Sequence, residues 1–448
     1  MQKFERNLTE GNVTKQLFSF SLPFLLSNFL QAMYNVTDTL VVGWFSGTNS
    51  ISGVSNGGQI TLLIINFAVG FTVGGAVLIG QYFGANKREE LSKTIGTLLS
   101  LLAILAIILT LGVIIFSGPI LRLIRIPEEA FLEAQRYLVI CSAGTIFIFG
   151  YNAVAAILRG MGDSKNPLFF VLISGIINIF LDILFVGPFQ WGAMGAAAAT
   201  VIAQAVSLIL SIIYLNKKGF IFEFKLQNFK IDISKLKLLC KIGLPSSVQS
   251  LVVGFSFLLM MILVNDFGVE ASAAMGIVGK FSGFAILPGL AMSSSISSMV
   301  AQNLGAGKID RAIKTMHSGF FLAAPIGAIF SLLAFFVPDL LIRIFTTDSA
   351  VIDKGVEYIR FYGADYVLAC ISFCILGLLI GAGQTTFTMC NSIFSSLILR
   401  IPLAYFFGIT LGIGLAGIGL AAPAATIGHM IVSFIYYKTG RWKRYTLI

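Results

Sequence analysis

Apolar residues run along this chain in stretches of about 20, long enough for each to cross a hydrocarbon core as a helix. Twelve spans are expected, at about 17–44, 59–82, 94–117, 134–158, 167–187, 194–216, 242–264, 273–301, 316–337, 357–380, 389–411 and 417–437. Several hold Gly, Ser or Pro, which membrane helices tolerate where neighbours satisfy the backbone. The longest polar stretch, Lys217 to Lys241, divides six spans from six. The expected organisation is therefore a six-helix bundle over 1–216, a linker over 217–241 and a second bundle over 242–448.

The two halves resemble each other. Phe20-Ser-Leu-Pro23 corresponds to Ile242-Gly-Leu-Pro245, and Gln81-Tyr-Phe-Gly-Ala-Asn-Lys87 to Gln302-Asn-Leu-Gly-Ala-Gly-Lys308. Arg159-Gly-Met-Gly162 corresponds to Ile380-Gly-Ala-Gly383, and Gly192-Ala-Met-Gly195 to Gly414-Leu-Ala-Gly417. The offset stays at 221 or 222, a register that chance does not hold over so many anchors. An even number of spans per half makes the repeat parallel. The fold class expected is an all-α polytopic membrane protein of two six-helix bundles, related by a pseudo-twofold axis along the membrane normal.

Composition agrees with the pattern. Of 448 residues, 57% are hydrophobic and 11% charged, and mean hydropathy is +0.92. A soluble domain carries about 25% charged residues. A formal net charge of +10 would suggest nucleic acid in a soluble chain. Here the positive charge falls in short loops, where it orients the chain and meets anionic lipid, so a lipid partner and no nucleic acid is expected. With the N-terminus inside, twenty-two of thirty Lys and Arg residues fall on the cytoplasmic side and six on the other. Both termini are thus expected in the cytoplasm of a prokaryotic cell, with the chain in the inner or plasma membrane. The first apolar run is too long for a signal-peptide core and lacks a small-residue cleavage site, so it is read as retained.

Against this background the polar residues inside spans carry the chemistry. Gln31, Asn35 and Asp38 form a stripe along one face of the first span. A carboxylate bounded by hydrocarbon normally faces a cavity, a partner or an ion. Asn178 and Asp182, four apart, share one face of the fifth span, and Thr200 lies a few residues into the sixth. Counting about 1.5 Å per residue places Asp38 and Asp182 both in the outer half of the membrane. Two carboxyls, an amide oxygen and a hydroxyl form a hard-oxygen set that suits a small cation such as Na+. Two acids adjoining in a low dielectric also favour sharing a proton. Residue types alone leave H+ and Na+ equally open. For Asp182 the alternative is an interfacial carboxylate at a helix end, and for Asn178 and Thr200 an interhelical hydrogen bond.

Pro23 removes one backbone hydrogen bond and permits a bend that protonation could move; a static kink is the alternative. Lys280 and Arg400 are the in-span cations. Lys280 lies near a span end, where it could snorkel. Arg400, before Pro402, aligns with Asn178 in the repeat and is expected to face the second half of a central cleft; a structural ion pair is the alternative. Gly70-Phe-Thr-Val-Gly74 matches a small-xxx-small packing pattern. Five scattered cysteines and two isolated histidines show no metal-ligand spacing. Cys370 and Cys374 are expected to pack as small apolar groups. Gly53-Val-Ser-Asn-Gly57 matches G-x-S-x-G, but in an expected outer loop and without a partner set it is read as chance. No phosphate-binding glycine loop or zinc motif is present, so neither an enzyme nor a cofactor is expected.

The Leu-Pro start of the first span, Asn35-Val-Thr-Asp38, the two Gln-x-x-Gly-Ala loops and Arg159-Gly-Met-Gly-Asp163 together resemble the multidrug and toxic compound extrusion (MATE) family over nearly the whole chain. The resemblance implies a cation-coupled antiporter that exports amphipathic, often cationic, organic compounds by alternating access. The N-terminal half is similar to the DinF-like branch. That branch implies a cation network at Asp38, Asn178, Asp182 and Thr200, with Asn152 and Tyr137 joining it. The NorM-like branch carries acids on the seventh and tenth spans; here the seventh has none, and Asp365 sits near the outer end of the tenth. A substrate cavity is expected around Gln31, Tyr34, Asn35, Tyr137, Lys280 and Arg400. The expected partners are small organic molecules, and the expected state is a monomer. A flippase for lipid-linked precursors is the rival transport reading, and a scaffold without a transport cycle the rival outside transport.

Overall fold

A computed structural model describes residues 5–444 and 447–448, without the side chains of Asn35, Thr48, Leu226 and Arg444. The expected role of Asn35 therefore lies outside the described residues. The described chain is helical, with no strand among the described residues. Eleven helices are long and apolar enough to cross a membrane, and a bent pair makes up to twelve. They are α1 (Val13–Gly47), α2 (Asn49–Gly84), α3 (Arg88–Leu123), the bent pair α4 (Glu128–Ala143 and Thr145–Gly160), α5 (Lys165–Val186) and α6 (Gly192–Lys217). The second half holds α7 (Ile233–Asn265), α8 (Val269–Gly305), α9 (Ile309–Phe336), α10 (Ser349–Gly381), α11 (Thr385–Thr410) and α12 (Leu415–Lys438). A short helix, Pro338–Arg343, joins α9 to α10.

At the repeat anchors the backbone turns left-handed. Asn86 and Gly307, which close α2 and α8, have φ of 56° and 71°. Gly162 and Gly383, after α4 and α10, have φ of 86° and 77°, and Gly192, which opens α6, and Gly414, just before α12, have 53° and 75°. Only glycine and, at lower frequency, asparagine occupy that region cheaply, so the turns hold their residues and the register follows.

The chain forms two compact units. One is Leu26–Ser247 with the segment up to Asn7; the other is Leu8–Leu25 with Val248–Ile448. This differs from the division at the 217–241 linker. The chain changes unit inside α1 and α7, two residues beyond the equivalent Pro23 and Pro245. In the second unit, Leu8 N–H donates to Gln302 Oε1 at 3.0 Å, and Arg311 donates to the carbonyls of Leu8, Glu10 and Gly11. These bonds tie residues 8–11 to the α8–α9 turn.

In the first unit α6 is central, meeting α4 and α5. Apart from Met194, its Gly192–Ala199 run has side chains small enough for close approach, and Ala193, Ala196, Ala197 and Ala199 are fully buried. The bend in α4, 49°, falls at Gly144, where a Cβ would come within 2.3 Å of Val201 on α6.

One expectation is corrected. Residues 44–58 are not an outer loop: α1 and α2 run through them with a single break at Gly47. Gly53 and Gly57 lie on α2 against α4, where a Cβ would meet Glu133 Cβ at 2.7 Å and Tyr137 Cδ1 at 2.9 Å. The apparent motif is thus a helix-packing face, which small residues permit. Gly70 and Gly74 do the same against the start of α7, with a Cβ at Gly70 falling 2.2 Å from Ser247 N. Cys370 and Cys374 are fully buried in an apolar cluster of the second unit.

Candidate cation site and cavity

Within the first unit, α1, α5 and α6 bring Asp38, Asn178, Asp182 and Thr200 together. Their spacing does this without loops: Asn178 and Asp182 are one turn apart on α5, and Thr200 lies on the facing helix α6. Thr200 Oγ1 donates to Asp38 Oδ2 at 3.4 Å, and Asn178 Nδ2 donates to Thr200 Oγ1 at 3.5 Å. The Asp38 and Asp182 carboxyls adjoin. Both are acceptors, so the contact becomes a hydrogen bond only when one carries a proton.

Burial makes the arrangement costly. Asp38 is 6% exposed, Asn178 1% and Asp182 0%. Asp38 Oδ1, Asn178 Oδ1 and both Asp182 carboxyl oxygens accept no hydrogen bond from the described protein groups. Buried polar groups are ordinarily paired, and an unpaired charge costs several kcal/mol or more. Four donor-free oxygens in one place fit a proton or a small hard cation. The interfacial alternative for Asp182 does not fit a fully buried carboxyl.

Beside this set lies a cavity of about 490 Å³, within the range of about 300–1,000 Å³ usual for small-molecule sites. Asp38 and Thr200 belong to both. Gln31, Tyr34 and Tyr137, expected at a substrate cavity, line it together with Asn152, expected in the cation network, and Thr61. Asp38 is the one charged side chain among the lining residues. Asn152 turns its amide onto its own helix, donating to Ile148 O at 2.8 Å rather than to the carboxyls.

Gln204 escaped the sequence reading. It lines the cavity, bonds with Tyr34, and keeps a buried Oε1 that accepts no hydrogen bond. The signal was present, because Gln204 lies four residues after Thr200 on the same helix face.

Lys280 and Arg400 belong to the second unit. Lys280 is exposed. Arg400 sits between two π-helical turns of α11, over the Phe257 ring at 5.4 Å, with a buried Nε that has no acceptor. Asp365 is 5% exposed and lies in the field of Arg400. The tenth span begins earlier than the sequence pattern suggests, at Ser349, so Asp365 lies midway along α10 and buried rather than near its outer end.

A family model described as MatE matches residues 23–184 and 245–406, two stretches offset by the same 222 residues as the Leu-Pro anchors. A "Probable multidrug resistance protein YpnP" of Bacillus subtilis is 28% identical over 441 residues, covering 98% of this chain and 97% of that protein. The "Multidrug export protein MepA" of Staphylococcus aureus is 24% identical over 377 residues, covering 83% of this chain and 82% of that protein. A solved structure described as the outward-facing conformation of a multidrug resistance MATE family transporter superposes with a TM-score of 0.92. It is 22% identical and covers 98% of both chains.

Proposed function

Because the chain belongs to the MatE family of multidrug and toxic compound extrusion transporters, we propose that it is a secondary antiporter, exporting amphipathic organic cations in exchange for H+ or Na+ held at Asp38 and Asp182. The chain is a membrane transporter and not an enzyme. The observation that supports the coupling is the donor-free set of buried oxygens on Asp38, Asn178 and Asp182 beside a cavity that Asp38 also lines.

When bound, the cation supplies the positive charge that lets both carboxyls stay buried. Thr200 fixes the rotamer of Asp38 through its hydroxyl, and Asn178 orients Thr200. Asp38 has one oxygen directed by Thr200 and one free, so it can serve the coupling cation or a cationic substrate, but not both fully. Competition follows, and with it the linkage that antiport requires: each ligand weakens the other's hold. Gln31, Tyr34, Tyr137 and Gln204 give the cavity amphipathic walls that suit organic molecules of varied shape.

The absence of a basic side chain among the residues lining this cavity favours cationic substrates and speaks against a flippase for phosphate-bearing lipid precursors. Pro23 leaves one backbone hydrogen bond of α1 unmade and so permits a bend through which protonation moves the helix. The protein works as a monomer in the plasma membrane with both termini in the cytoplasm. Reconstitution into proteoliposomes with an imposed Na+ or proton gradient tests the reading. Export of an organic cation driven by one gradient and abolished by its collapse is expected. Equal export without any gradient would contradict it.

A further inference from the structure

The second unit carries a groove of about 1,070 Å³ at the end where residues 8–14 meet the start of α9. Lys308, Arg311, Lys314, His317 and Lys443 line it, against the single acid Asp310. These basic groups divide into two sets. Lys308 donates to the carbonyl and hydroxyl of Thr9, at 3.0 and 3.3 Å, and Arg311 donates to carbonyls of residues 8, 10 and 11 and to Gln16 Oε1. They build the wall. Lys314 and Lys443 are exposed and make no side-chain hydrogen bond or ion pair with a described group.

The face of α9 that begins at Lys314 continues through His317 to Phe321, which is 79% exposed, and then through Pro325 and Ile329 to Phe336, 71% exposed. Spacings of three, four and seven keep these residues on one stripe. A cationic head region thus runs directly into an apolar track.

From this we propose that the groove is a specific site for an anionic phospholipid, with its phosphate between Lys314 and Lys443 and an acyl chain along Phe321 and Ile329, within about the 22 Å that fifteen helical residues span. A free phosphate ion would use the two lysines and leave the apolar track without a part. Two cations lining one groove, floored by a helix N-terminus, give attraction beyond that of scattered loop charge. The proposed orientation decides only which leaflet supplies the lipid. The site itself stands or falls apart from the transport reading.

The test uses the full-length protein in detergent, with dioleoyl phosphatidylglycerol, dioleoyl phosphatidylcholine or inorganic phosphate added and bound molecules counted by native mass spectrometry. The wild type should hold phosphatidylglycerol in preference to phosphatidylcholine. The Lys314→Gln/Lys443→Gln variant should lose about fivefold in phosphatidylglycerol affinity for each lysine removed. Lys217→Gln/Lys218→Gln, which removes the same charge from the end of α6, should keep the wild-type preference. Lys314→Arg/Lys443→Arg should keep it too and controls for folding. An undiminished preference in Lys314→Gln/Lys443→Gln would overturn the proposal. So would lysine-dependent binding of inorganic phosphate with no preference between the two lipids.

Discussion

Replacing Asp38 with Asn separates a cation ligand from a structural carboxyl, because the two roles predict opposite effects on stability. The substitution is nearly isosteric and keeps an oxygen able to accept from Thr200, whose bond to Asp38 is long at 3.4 Å. Without cation, the wild-type protein buries two adjoining acids whose Oδ atoms, save Asp38 Oδ2, have no donor. An amide at position 38 brings a donor toward Asp182, so unfolding temperature in cation-free buffer should stay level or rise. Cation binding should respond the other way. A hydrogen bond or contact to a charged group is worth about 1.5–3 kcal/mol, so loss of one charged ligand should weaken Na+ or H+ binding by about ten- to a hundredfold. Thermal unfolding with and without Na+, at several pH values, reads both effects on one sample. The cation-dependent rise in unfolding temperature should vanish in Asp38→Asn. A large drop in unfolding temperature, with the cation-dependent rise intact, would refute the reasoning and make Asp38 a structural residue.

Asp182→Asn should behave as Asp38→Asn, and the double variant should be little worse than either single, because groups that share one cation act as a unit; additive losses in cation affinity would show two separate sites. Gln204→Leu should leave cation affinity near wild type while changing substrate affinity, since Gln204 lines the cavity and bonds with Tyr34; fluorescence titration with an organic cation checks it. Gly70→Val should cost about 1–3 kcal/mol or more by overpacking, because its Cβ meets the Ser247 backbone, which has no soft side chain to move aside; thermal unfolding measures it.

Much of this architecture is legible in the sequence for a physical reason. The anchors of the repeat, Asn86 with Gly307 and Gly162 with Gly383, mark left-handed turns, and few residues tolerate that conformation. The candidate site is legible because helical spacing alone places Asn178 beside Asp182, and burial of an acid in an apolar run is rare. Other features depend on packing. Residues 44–58 are rich in Gly, Ser and Asn and look like a loop, yet apart from the break at Gly47 they are helical, with Gly53 and Gly57 packed against α4; tertiary contact overrides propensity. The bend falls at Gly144, where Val201 of another helix leaves no room for a Cβ, and no proline announces it. Nor does the sequence reveal that residues 8–25 belong with the second unit, since Gln302, Lys308 and Arg311 reach them from about 300 positions away.

The central claim is that the coupling cation and the exported substrate compete through Asp38. Its most direct test is a titration of organic-cation binding to purified protein, repeated across Na+ concentration at fixed pH and across pH without Na+, in wild type and Asp38→Asn. Wild-type binding should weaken as one of the two cations rises, and the variant's binding should no longer depend on it. If Asp38→Asn keeps the full wild-type dependence on Na+ and on pH, the coupling site lies elsewhere, and the buried Asp365 becomes the carboxyl to replace.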